Sequence, residues 1–176
     1  FTVNAGSSAS AGGVDYTLAS SSVAVPVDGT TQNISVSIVN DSLAESSETL
    51  ILDLGTETGG TAAQQAVVTS GAPATHTLTI TDNDIAGVTV TESGGSTAAV
   101  EGGNDTYSLV LTSQPSADVV ISIATDAQVS RSPASLTFTT ANWATPQNVT
   151  VTPVNDRTVE GAHSGALTHS AAGGGY

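Results

Sequence analysis

The sequence predicts an all-β protein made of two tandem antiparallel β-sandwich repeats. Three observations carry that expectation: short runs of strict period-2 alternation, a composition rich in Val, Thr, Ile, Ala, Ser and Gly, and an internal repeat. No segment shows 3.6-residue periodicity over the length of a helix.

The alternating runs follow one another along the chain. "NISVSIVN" (33–40) sets Ile34, Val36 and Ile38 on one face and Ser35 and Ser37 on the other. "TLILDL" (49–54) is a strand by its aliphatic and β-branched content. "ATHTLTITD" (74–82), "AGVTVTES" (86–93), "TYSLVLTS" (106–113), "ADVVISIATD" (117–126), "ASLTFTT" (134–140) and "QNVTVTPVND" (147–156) continue the pattern. Gly, Pro, Asn and Asp separate them, and Asp28-Gly29 and Asn104-Asp105 read as turns. Trp143, the single Trp, is expected to cap a sandwich core.

The repeat is visible by direct comparison. "QNISVSIVNDSLAESSETL" from Gln32 matches "QNVTVTPVNDRTVEGAHSGAL" from Gln147, an offset of 115 residues. The match aligns Asn40-Asp41 with Asn155-Asp156, Glu45 with Glu160 and Glu48 with His163, and it sets Ser130 opposite Asp15. "SSVAVPV" (21–27) falls opposite "SLTFTTA" (135–141). The join lies near "TDNDIAG", giving expected domains 1–84 and 85–176. Copy two opens with "GVTVTESGGSTAAVEGGNDTYSLVLTS", which has no counterpart before Phe1; copy one closes with "HTLTITDND", which has none after copy two. The first repeat is therefore expected to lack its opening strands and the second its closing strand. Phe1 is neither an initiator Met nor part of a signal peptide, so a segment of a longer protein is expected.

Composition narrows the function. Sixteen acidic residues stand against two basic ones, Arg131 and Arg157, for a formal net charge of −14. Such a chain has no cations with which to displace counterions from nucleic acid, and it should avoid anionic membranes. No apolar run approaches a membrane span. With no Cys there is no disulfide, thiolate metal site or Cys nucleophile, and without Lys there are no Lys-Asn isopeptide cross-links. His76, His163 and His169 lack zinc-site spacing. No GxSxG elbow or Ser-His-Asp context is present, and an enzyme is not expected. The acidic loop "NDSLAESSE" instead gathers Asp41, Glu45 and Glu48 with no Lys or Arg nearby, and close like charges call for a cation or solvent between them.

Asp15-Tyr16, the "NDSLAESSE" loop and the terminal "DND", in that order and spacing, resemble the Calx-beta motif. "VEGGNDTYSLVLTS" and "NVTVTPVNDRTVEGAHSG" resemble it more loosely. The resemblance implies an immunoglobulin-like β-sandwich with Ca²⁺ held by carboxylates at one end. Carried over position by position, it implies Asp15, Asp41, Glu45, Glu48, Asp82 and Asp84 as metal ligands in repeat 1. In repeat 2 it implies Glu101 (with Glu92 the alternative), Asp156 and Glu160. The expected function is a calcium-binding spacer of an extracellular or cell-surface protein of bacterial type, Ca²⁺ stiffening module ends and joins. Its partners would be calcium ions and neighbouring repeats. An adhesin recognising a glycan or protein, and a calcium-sensing regulatory domain, stay open as alternatives.

Overall fold

The computed structural model describes residues 1–26, 30–55, 74–159 and 161–176. Among them every paired strand is antiparallel, and the helical content is one 3₁₀ turn at Ser93–Gly95. The chain divides into two compact units, Phe1–Asp41 with Glu45–Asp82, and Ser42–Ala44 with Asn83–Tyr176.

The first unit contains β1 (Thr2–Val3), β2 (Tyr16–Leu18), β3 (Val36–Ile38), β4 (Glu48–Asp53) and β5 (Thr75–Ile80). They form a three-stranded sheet ordered β1-β4-β5 and a β2-β3 pair. Alternation along β4 turns Leu50 and Leu52 inward, where they meet Tyr16 and Ala9, with Leu78 and Ile80 of β5 packed alongside. Beyond the short β1, serine hydroxyls continue the ladder. Ser7 Oγ accepts the Ile51 N–H at 2.9 Å and Ser8 Oγ accepts the Thr49 N–H at 2.8 Å. Side chains here satisfy donors that a longer strand would have paired.

The second unit contains β6 (Val88–Glu92), β7 (Asp105–Leu111), β8 (Val119–Thr125), β9 (Val129–Ser132), β10 (Ser135–Phe138), β11 (Gln147–Pro153) and β12 (Leu167–Ala172). A four-stranded sheet, β6-β7-β11-β9, faces a three-stranded one, β10-β8-β12. Leu109, Val149, Val119 and Phe138 are wholly buried between them, and Trp143 packs against this core as expected. Tyr176 closes one side: its hydroxyl accepts the Ser113 N–H at 3.1 Å and donates to the Ser113 carbonyl at 2.6 Å. Gly174 makes the turn possible, because a Cβ there would lie 2.3 Å from the Ala117 carbonyl oxygen.

Two sequence expectations are revised. Residues 21–26 form no strand, although 135–138, their sequence counterpart, form β10. β10 pairs along the seven-residue β8, whereas β1 spans only two residues and offers no such edge. The second revision concerns register. The Val39 N–H donates to the Asp15 carbonyl at 2.9 Å, and the Val154 N–H donates to the Gln128 carbonyl at 2.8 Å. Gln128 rather than Ser130 therefore occupies the position of Asp15, two residues away from the ungapped alignment. The Asp28-Gly29 turn lies outside the described residues.

Candidate metal centre

Strand directions in the first unit bring acids from distant sequence positions to its strand ends. β2 begins where β3 finishes, with Tyr16 opposite Ile38, so Asp15 and Asp41 flank the same end of that pair. β4 begins where β5 finishes, with Glu48 opposite Ile80 and Asp82 two residues on. Asp15 is buried, only 6% exposed, and its carboxylate accepts the Ser10 N–H. The Glu45 N–H donates to Asp82 Oδ2 at 2.7 Å, fastening the acidic loop to the end of β5.

The charges sense one another. Partial burial, then the negative charges of Asp15, Asp41 and Asp82, push the Glu45 carboxyl above its ordinary 4.5. Glu48 is also raised, by partial burial, then by a hydrogen bond with Asp15, then by the charges of Asp15 and Glu45. Asp15, Asp41, Glu45, Glu48 and Asp82 are thus one electrostatic group, with no Lys or Arg in the unit, since both arginines belong to the second. Asp84 also falls in the second unit. Among the described residues no three Asp, Glu or His side chains close around a common point. The oxygen-only donor set fits a hard cation such as Ca²⁺, which takes 6–8 oxygens, but its present arrangement is an open cluster rather than a formed shell.

The second unit differs at the corresponding places. Gln128 puts a neutral amide where Asp15 puts a carboxylate. With its side-chain O and N assigned so that both find partners, the Asn155 amide donates to Glu101 Oε2 at 3.3 Å. Asp156 accepts the Thr158 N–H at 2.7 Å, within its own turn. His163 Nδ1 lies 2.9 Å from the Gly161 carbonyl, and Glu160 lies outside the described residues. His169 makes a 2.7 Å hydrogen bond through Nε2 to the Tyr107 hydroxyl and meets that ring edge to face. Burial lowers the His169 pKa from 6.5 and raises that of Tyr107.

The other strong acids of this unit act as local braces. Asp105, read as part of a turn, accepts the Ser93 hydroxyl and the N–H groups of Ala98 and Thr106, which lower its pKa. Asp126 accepts the N–H groups of Ala166 and Gln128, with the same effect. Sequence reasoning missed the Ser10 anchor and the Tyr107–His169 pair. The first uses a backbone donor, which leaves no trace in residue identity, and the second joins residues 62 positions apart.

Fold and site together define a class: antiparallel β modules that gather carboxylates at strand ends. Within that class, residues 2–84 match the family model described as the Calx-beta domain. Comparisons with curated proteins and with solved structures give no match.

Proposed function

We propose that this chain is a calcium-binding structural segment of an extracellular or cell-surface protein, in which the first unit holds the ion. The observation that carries this reading is the group of five acids at the strand ends of the first unit, repelling one another with no basic side chain in the unit. Ca²⁺ between them would replace repulsion by coordination, drawing the 41–48 loop against Asp15 and the end of β5 and stiffening that end of the unit. The Calx-beta match over residues 2–84 supports the same reading. The role proposed is mechanical and non-catalytic, with the second unit a neighbouring repeat of the same kind. The shared hydrogen bond from Val39 to Asp15 and from Val154 to Gln128 supports that kinship. Gln128 makes the second unit the weaker calcium site.

Isothermal titration calorimetry with CaCl₂ tests the proposal. Saturable Ca²⁺ binding, much weaker Mg²⁺ binding and loss of the signal in an Asp41→Asn, Glu48→Gln double variant are expected. No Ca²⁺ heat, or equal binding by the double variant, would overturn it.

A further inference from the structure

Both units carry one short motif at the same place. Asn148-Val149-Thr150 lies in β11, and Asn33-Ile34-Ser35 stands 115 residues earlier, just ahead of β3. Asn-x-Ser/Thr with x other than Pro is the acceptor pattern of N-linked glycosylation. In each unit the middle residue turns inward: Val149 is wholly buried, and Ile34 packs against the first core. The amide and the hydroxyl on either side of it therefore lie on the outside. Asn33, Ser35 and Asn148 are exposed, and none of their side chains hydrogen-bonds to a described residue.

The surroundings of Asn148 carry no charge. On the outer face of β6-β7-β11-β9, Asn148 lies opposite Ser108, whose other neighbour is Thr91, and Thr150 lies between Thr106 and Ser132. The charged residues of these strands take the inner register. Glu92 pairs with Tyr107, Asp105 is two residues from Tyr107 on the same strand, and Arg131 donates to the Ile123 carbonyl of the facing sheet. No charged residue falls between Ser132 and Asn155, in a chain of net charge −14. Two further copies of the motif, Asn40-Asp41-Ser42 and Asn104-Asp105-Thr106, have an acid at the centre. Asp41 belongs to the acidic group of the first unit, and Asp105 braces Ser93 and Ala98.

We propose that Asn148 and Asn33 are N-glycosylation sites, one on each unit, modified by a glycosyltransferase that uses a sugar diphosphate donor. Asn Nδ2 bonds to the anomeric carbon of the sugar, and the bond from that carbon to the diphosphate oxygen breaks. The diphosphate leaves with the bonding pair, and the amide gives up one proton. The donor is an anion, so the central acid repels it at Asn40 and Asn104, whereas Ile34 and Val149 do not. An outward amide with no partner accepts the glycan without displacing a contact of the fold. Once attached, the glycan shields a face that has no charge of its own to keep other chains away. Modification of this kind requires the extracellular location proposed above and is independent of calcium.

Mass spectrometry of the chain recovered from outside its own cells tests this. Trypsin cuts after Arg131 and Arg157 and releases residues 132–157, in which Asn148 heads the one Asn-x-Ser/Thr motif. That peptide is expected to carry the mass of whole sugar residues. Fragmentation of the peptide that ends at Arg131 is expected to place sugar on Asn33 and not on Asn40 or Asn104. Asn148→Gln and Thr150→Val should each remove all sugar from 132–157, whereas Thr150→Ser, which keeps the hydroxyl, should retain it. An unmodified 132–157 peptide from the secreted chain, or sugar that persists there in Asn148→Gln, would overturn the proposal. Sugar on Asn40 or Asn104 in place of Asn33 would overturn the role given to the central residue. Recovery of the chain only inside the cells would overturn the extracellular reading and this one with it, and none of these results bears on the calcium site.

Discussion

β4 and β12 each follow an acidic loop and pair antiparallel with an earlier strand, yet one is a core strand and the other an exposed edge. β4 lies between β1 and β5, and Leu50 is wholly buried. Among the described residues β12 pairs with β8, and its inner-facing His169 stays exposed beside a cavity. β3 and β11 show the reverse. β11 lies between β7 and β9 and buries Val149 and Val151, whereas β3 pairs only with β2 among the described residues and leaves Ile38 49% exposed. Alternation decides which side chains point inward. What packs over that face decides whether they are buried: β10, with β8 as its neighbour, still buries Leu136 and Phe138 against the facing sheet.

The largest expected effects come from the cores. Phe138→Ala removes a wholly buried ring from the second unit and should cost about 3–5 kcal/mol, read from the Trp143 fluorescence transition. Leu50→Ala should cost about 2–5 kcal/mol in the first unit, whose core has four buried residues among those described. It should move far-UV melting while leaving the Trp143 transition in place, because Trp143 packs in the second unit. A shift of the Trp143 transition by Leu50→Ala would contradict independent cores.

Tyr176→Phe is expected to cost about 1–3 kcal/mol, because it strips partners from the fully buried Ser113. Only the second unit should respond in chemical denaturation.

Acid should separate the units by sign. Glu45 and Glu48 have folded-state pKa values above 4.5, so just above that pH the folded first unit binds more protons than the unfolded chain. Its stability should rise as pH falls from neutral through this window, and saturating Ca²⁺ should remove the gain. The second unit should lose stability instead. His169 is lowered from 6.5, so its contribution is present above that pH and fades as pH falls toward the folded value. Asp105 and Asp126 are lowered from 3.8, so theirs persists above 3.8 and is lost as pH falls through their folded values. Thermal melts between pH 7 and pH 3, read separately for the two units, check both directions.

The smallest effect expected is a slight rise in Tm of the first unit for Asp41→Asn with Glu48→Gln at pH 7 without Ca²⁺, since the change relieves repulsion between partly solvated charges. A fall in Tm would mean that these carboxylates already make stabilising contacts.

Where strands were long and strictly alternating, as in β5, β7, β8 and β11, the sequence was enough to locate them. β1, β2, β9 and β12 were not legible. β1 has two residues and hands its pairing to Ser7 and Ser8, which look like loop residues. In β12, "LTHSAA" offers one strong apolar residue in six, because its inner face meets a cavity rather than a core. Five acids of the first unit could be named from the motif alone. That they sense one another through Asp15 and Asp82 needed the antiparallel ends of two strand pairs. The two-residue register change that replaces Ser130 by Gln128 was invisible, because it depends on pairing across the sheet rather than on residue identity.

Calcium held by the acids of the first unit, with Gln128 weakening the counterpart site in the second, has a residue-level signature. A residue-resolved NMR titration of the ¹⁵N-labelled chain with CaCl₂ at pH 7 tests it most directly. Saturable shifts are expected at the amides of Ser10 and Glu45, which donate to Asp15 and Asp82. Thr158, the donor to Asp156, should shift only at higher Ca²⁺ concentration or not at all. No saturable change at Ser10 and Glu45, or saturation of Thr158 at lower Ca²⁺ concentration than theirs, would contradict it.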